Sequence, residues 1–199
     1  SGTLRRFGRL PYLLKVLSAA RPLSIQVHPD QRQAAEGYER ENAAGIPLSA
    51  AVRSYKDDSH KPELIVALTD FWALRGFRPL EEIAAVLEET AELRDLRPGF
   101  EPSPAGLRAL YEKLMALPEK QVDGILAPLV ARLAAEDRRT PFGDDDRRRW
   151  ILRADAECST GGHRDRGLFS IFLLNLIHLR PGQALYLPAG ILHAHLRGA

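Results

Sequence analysis

A single cysteine, Cys158, among 199 residues excludes an internal disulfide and fits a reducing compartment. Net charge is also scarce, at +2, so the overall balance gives no reason to invoke nucleic acid. The pI near 8.8 reflects a small excess of arginine, and no basic stripe is interleaved with aromatics. No apolar run approaches the roughly 20 residues that span a bilayer, and no secretory leader opens the sequence. Repeats and low-complexity segments are missing as well. What remains is 45% hydrophobic and 27% charged residues, enough for one large domain or a core with a smaller insert. The expectation is a soluble, cytoplasmic globular protein with no nucleic-acid or membrane partner.

The most informative stretch is Pro22–Pro29, Pro-Leu-Ser-Ile-Gln-Val-His-Pro. Taken as a strand, it puts Ser24, Gln26 and His28 on one side and Leu23, Ile25 and Val27 on the other. An imidazole nitrogen is a common metal donor, and the amide oxygen of Gln26 could donate from two residues earlier. Pro29 cannot donate to a ladder, so the strand is expected to stop there. Without further partners, such a row also fits a wet edge strand.

Upstream, Leu10–Leu17 is predicted to be a mostly buried strand interrupted by Lys15, a side chain that either snorkels or faces a polar cavity. Asp30 is placed to cap a helix running to about Asn42, with Ala34, Ala35 and Tyr38 on its inner face. Glu63–Leu68 and Phe71–Phe77 are strand-like, with Thr69-Asp70 between them. From Pro79 the apolar spacing turns helical: Ile83, Val86 and Leu87, then Leu107, Leu110, Tyr111 and Leu114, then Val122 to Leu133. A fourth helix is predicted from near Asp144, whose acidic run reads as a solvated helix start, and helical periodicity ends near Cys158. Ile171–Leu179 and Ala184–Leu187 return to strand character across the turn Arg180-Pro181-Gly182-Gln183. The predicted architecture is α+β, with 79–160 a helical insert between strand-bearing segments 1–78 and 161–199.

Gln26, His28, Glu63 and His193 together offer two imidazoles, one carboxylate and one amide oxygen, a donor set suited to zinc or another first-row divalent ion. Their separations of 2, 35 and 130 residues form no compact metal signature, and spacing does not decide between His193 and His195. His60 is either an exposed loop histidine or a group that orients a neighbour or transfers a proton. His163, His178 and Cys158 carry no argument for chemistry.

Five stretches, in order, carry a resemblance: Ser24-Ile25-Gln26-Val27-His28-Pro29, Glu41-Asn42-Ala43-Ala44-Gly45-Ile46-Pro47, His60-Lys61-Pro62-Glu63, Pro181-Gly182-Gln183-Ala184 and Ala189-Gly190-Ile191-Leu192-His193-Ala194. From about Phe7 to Gly198 the sequence is similar to the type I mannose-6-phosphate isomerases. The resemblance implies a zinc-dependent cupin, a β-sandwich or jelly roll with a helical insert, interconverting mannose 6-phosphate and fructose 6-phosphate through a cis-enediol. It assigns one Zn2+ to Gln26, His28, Glu63 and His193. It also places Lys15, Ser24, His60 and Lys61 in the substrate cavity: Lys15 and Ser24 as substrate or phosphate contacts, Lys61 and His60 as candidates for catalysis. His195 stands where the family usually has tyrosine. Family members begin earlier and continue past Ala199 with an arginine-bearing motif and a second cupin domain. The sequence therefore reads as an incomplete sandwich and a poorer isomerase than a full-length relative. The alternative is a weakly active or non-catalytic metal-binding cupin that recognises a phosphosugar.

Overall fold

The computed structural model describes residues 2–8 and 12–199. A short helix α1 (Gly2–Phe7) precedes an extended segment. Helix α2 (Gln31–Ala43) starts where Asp30 accepts the Gln33 N–H at 2.7 Å while the Gln33 side chain accepts the Asp30 N–H at 3.0 Å. A reciprocal cap of this kind contributes about 1 kcal/mol. Strands β1 (Glu63–Val66) and β2 (Phe71–Phe77) follow. Helix α3 (Leu80–Glu89), a 3-10 turn at Ala91–Leu96, and helices α4 (Pro104–Ala116), α5 (Glu119–Arg139) and α6 (Arg147–Cys158) come next. Helix α7 (Leu168–Leu173) runs directly into β3 (Leu174–Leu179), followed by β4 (Ala184–Leu187) and β5 (His193–Arg197). Among the described residues, no helix is long and apolar enough to cross a membrane.

The strands form two antiparallel sheets, β1-β4 and β3-β2-β5. Alternation gives the larger sheet two different faces. Trp72, Leu74, Leu174, Ala194 and Leu196 join the helical core around Leu126, Leu129, Trp150 and Phe169. Phe71, Ala73 and Leu179 face the other way, into a smaller cluster with Ala67 that is flanked by Ile65 and Leu185 of the β1-β4 sheet. Glu63 and Ile65 are half-buried on the inner side of β1, while Leu64 and Val66 are exposed. At Gly76 (φ +57°) β2 carries a bulge, and the Asn175 amide donates to the carbonyls of Arg75, Gly76 and Phe77 at 3.1, 3.3 and 2.9 Å. The bulge needs that donor because its own carbonyls miss the ladder.

Four expectations are corrected. Of the predicted strand Leu10–Leu17, Leu10 and Pro11 lie outside the described residues; Tyr12–Leu17 is neither strand nor buried, with Leu14 86% exposed. Its apolar side chains satisfied the composition of a strand, but no strand among the described residues lies alongside to hydrogen-bond it. Pro22–Pro29 is extended but forms only one bridge, Gln26 with His193. Pairing there is broken because the register slips by two residues between that bridge and Ala19 with Gly198. The run Ile171–Leu179 begins as helix α7, since residues 168–173 are all buried and leave no polar alternation to mark a period. Helix α6 starts at Arg147, with Asp146 as its cap, and Asp144 is no solvated helix end: its carboxylate meets Arg149 at 2.5 Å and Arg197 at 3.1 Å.

Candidate metal centre

His193 opens β5 and is 3% exposed. Its backbone exchanges both hydrogen bonds with Gln26, N–H to O at 2.9 and 2.8 Å. Directly paired residues carry their side chains on one face, so Gln26 and His193 project from the same side. On β5's other flank Arg75 pairs with His193, and Arg75 in turn pairs with Asn175. One row across the inner face therefore reads Asn175, Arg75, His193, Gln26.

Glu63, at the start of β1, reaches this face from the second sheet. Its carboxylate lies 3.2 Å from His28 Nε2 and 3.6 Å from His193 Nε2. The candidate ligand atoms of His28, Glu63 and His193 all fall within 4.8 Å of one another. The two imidazole rings are 5.3 Å apart, centroid to centroid. Both Nε2 atoms are buried and make no hydrogen bond of acceptable geometry, in spite of the nearby carboxylate. The Nδ1 of His193 lies 2.9 Å from the Ile191 carbonyl, which can only accept. The proton therefore sits on Nδ1, leaving Nε2 a free lone pair. Around a tetrahedral zinc with bonds of about 2.0–2.2 Å, ligand atoms are roughly 3.3–3.6 Å apart. The observed separations and orphaned donors fit a divalent cation.

The remaining candidates are less closely gathered. Gln26 is exposed, and its amide nitrogen donates to Ser24 Oγ at 3.4 Å, while its carbonyl oxygen has no donor among the described residues. Lys61 is about half exposed, with its ammonium 3.4 Å from Asp57. His60 is exposed, and its backbone N–H donates to Gln31 Oε1 at 3.4 Å. Lys15 is exposed on the extended segment. His195 lies two residues beyond His193, with ring centroids 5.9 Å apart, and packs edge-on against Phe71. Burial pushes its imidazole pKa down, and the neighbouring His193 and His28 push the same way against Glu63. Its Nε2 is also buried without a hydrogen-bond partner, but the close cluster of candidate donors takes in His193 and not His195.

Sequence reasoning missed Arg53. It is 4% exposed and donates to the carbonyls of Tyr55 at 2.7 Å and Ile46 at 2.6 Å and to Asn42 Oδ1 at 2.8 Å. Glu41, 9% exposed, lies 3.1 Å from Arg53 and accepts the N–H groups of Ser54 and Tyr55 at 3.3 and 2.9 Å. The Tyr55 ring lies so close to Gly37 that any Cβ there would come within 2.5 Å of it. This clasp fastens the loop ahead of Glu63 to α2. The Glu41-Asn42 dipeptide was a visible signal, but nothing local marks Arg53 as its partner.

Fold and site define a metal-site β-sandwich protein of the cupin type, with helices packed on one face. Residues 3–80 match the family described as phosphomannose isomerase type I, catalytic domain. The mannose-6-phosphate isomerase of Salmonella typhimurium is 41% identical over 97% of this chain and 47% of its own length. That of Rattus norvegicus is 35% identical over 96% of this chain and 45% of its own. A zinc-bound mannose 6-phosphate isomerase structure superposes with a TM-score of 0.81 at 38% identity, over 99% of this chain and 48% of that one. The Salmonella enzyme bound to fructose 6-phosphate and zinc gives 0.79 at 37% identity, with the same coverage. The chain is similar to the type I phosphomannose isomerases along nearly its whole length and spans about half the length of the curated relatives it matches.

Proposed function

We propose that this chain acts in the interconversion of mannose 6-phosphate and fructose 6-phosphate, with one zinc ion held by Gln26, His28, Glu63 and His193. The observation that carries this reading is the pair of buried, unpartnered imidazole Nε2 atoms flanking the Glu63 carboxylate. When bound, the ion supplies positive charge where a sugar oxygen becomes anionic. The chain's own residues do the rest. Gln26, beside His193 on one face, contributes a neutral oxygen donor, so the site keeps net positive charge toward an anionic substrate. Lys61 and His60, two and three residues before Glu63, are the groups for moving a proton between the sugar's C1 and C2, with Ser24 and Lys15 as substrate contacts. The relatives' names and the zinc- and fructose 6-phosphate-bound structures support this assignment. In this reading residues 1–78 and 161–199 form the cupin unit, 79–160 form a helical insert, and the protein works in the cytoplasm.

A second reading is a metal-binding protein with little turnover of its own. It is favoured by the engagement of Lys61 with Asp57 and by the exposure of Lys15 and His60. Metal analysis with a coupled mannose 6-phosphate assay separates the two. Stoichiometric zinc with turnover lost in Lys61→Ala supports the isomerase; stoichiometric zinc without turnover supports the second reading. No zinc bound by the wild type overturns both.

A further inference from the structure

Arg75 stands in the same row as His193, on the inner face of the larger sheet. It is half-buried, its Nε is buried without a hydrogen-bond partner, and no carboxylate lies within ion-pair distance of it among the described residues. Two other arginines at this sheet are ion-paired: Arg78 with Glu82 at 2.9 Å and Arg197 with Asp144 at 3.1 Å. A half-desolvated guanidinium beside a dication site is unfavourable unless an anion shares the space. The charges point to that anion. A divalent ion with Glu63 and neutral histidines leaves one positive charge, and Arg75 adds a second. A phosphate monoester near pH 7 carries nearly two negative charges and presents the oxygens that a guanidinium fork binds in bidentate fashion. The backbone is prepared for the role as well, because Asn175 pins the Gly76 bulge next to Arg75. Lys61, by contrast, already has Asp57.

We infer that Arg75 binds the phosphoryl group of a sugar phosphate beside the metal and so selects phosphorylated over unphosphorylated sugars. This rests on the proposed metal site but is tested apart from it. Zinc content and the affinities for inorganic phosphate, fructose 6-phosphate and fructose are measured by calorimetry on the wild type, Arg75→Gln and Arg75→Lys. Each protein is titrated both zinc-loaded and metal-free. The expected result is unchanged zinc content and about 10–100-fold weaker fructose 6-phosphate and phosphate binding in Arg75→Gln, with fructose binding unaltered. Arg75→Lys, which keeps the charge but not the fork, should recover part of the loss. Wild-type binding that does not favour fructose 6-phosphate over fructose, or equal fructose 6-phosphate affinity in wild type and Arg75→Gln, overturns the inference. Absence of zinc uptake overturns the metal reading alone, since the phosphate titrations of metal-free protein still report on Arg75.

Discussion

The two faces of the β3-β2-β5 sheet are built by opposite rules. Toward the helices, Trp150, Ile83, Leu126 and Leu129 are all 0% exposed, the Trp150 Nε1 donates to the Asp144 carbonyl at 2.7 Å, and the two guanidinium nitrogens buried there without a hydrogen bond belong to Arg153 and Arg164, which are ion-paired with Asp144 and Asp155. Toward the second sheet the buried apolar cluster is small, and the Nε2 atoms of three imidazoles (His28, His193 and His195) and the Arg75 Nε are buried without hydrogen bonds. The second sheet itself exposes Leu64, Val66 and Tyr186 on its outer side, at 67, 51 and 57%. Stability thus resides in the helical face, and the unsatisfied polar groups are concentrated on the other. The comparison teaches that an orphaned donor is informative only where the surrounding structure otherwise satisfies its polar groups.

The strongest way to break this division is Trp150→Ala. It should cost about 3–5 kcal/mol, and because Trp72 and Leu74 share the Trp150 core it should unfold the larger sheet as well, lowering the urea midpoint by fluorescence and circular dichroism alike. A variant that lost helicity yet kept stoichiometric metal would show the faces to be independent. Chelation should act in the opposite place. Metal at about 100 times its Kd stabilises by about 2.7 kcal/mol, and its removal should raise amide exchange first in β1 and at the Gln26–His193 bridge, with α5 unchanged. Uniform loss of protection would dissolve the contrast.

Asp30→Ala has a smaller effect, about 1 kcal/mol on α2 from loss of the cap. The shift is read from the thermal midpoint. The least effect belongs to Glu92, whose carboxyl the Arg132 guanidinium holds below its ordinary value through hydrogen bonds at 2.7 and 2.8 Å. A depressed folded-state pKa contributes stability that is fully present above the unfolded value of about 4.3 and is lost as pH falls through the folded value. The acid limb of the stability curve should therefore flatten in Glu92→Gln, while stability near pH 7 changes little, since the pair is partly exposed.

Much of this was legible from residue order. Asp30 marked the start of α2, and the strand-like run Phe71–Phe77 matches β2 to the residue because Arg75 and Gly76 are its only non-hydrophobic members. Proline's fixed φ stands at the starts of α4 and α5, with Pro104 as the first residue of α4 and Pro118 immediately before α5. The metal-ligand candidates could be named, but their convergence depends on pairing between Gln26 and His193, far apart in the chain, and residue spacing does not encode that. Tyr12–Leu17 misled because apolar content says nothing about whether a partner strand is present. Arg53 and Arg75 were invisible for the same reason: the meaning of each lies in what stands opposite it after folding. A carboxylate closes the ring around Arg53, and none among the described residues closes it around Arg75.

The clasp between Glu41 and Arg53 makes helix α2 a tie bar between two candidate ligands. His28 lies two residues before the cap at Asp30, and the loop held by Arg53, Gln31 and Tyr55 delivers Glu63. The two donors therefore converge only while that helix is wound. By thermodynamic reciprocity, whatever the wound helix adds to metal affinity, the bound metal returns to the helix. A surface substitution on α2, remote from any donor atom, thereby becomes a setting for how tightly the cation is held.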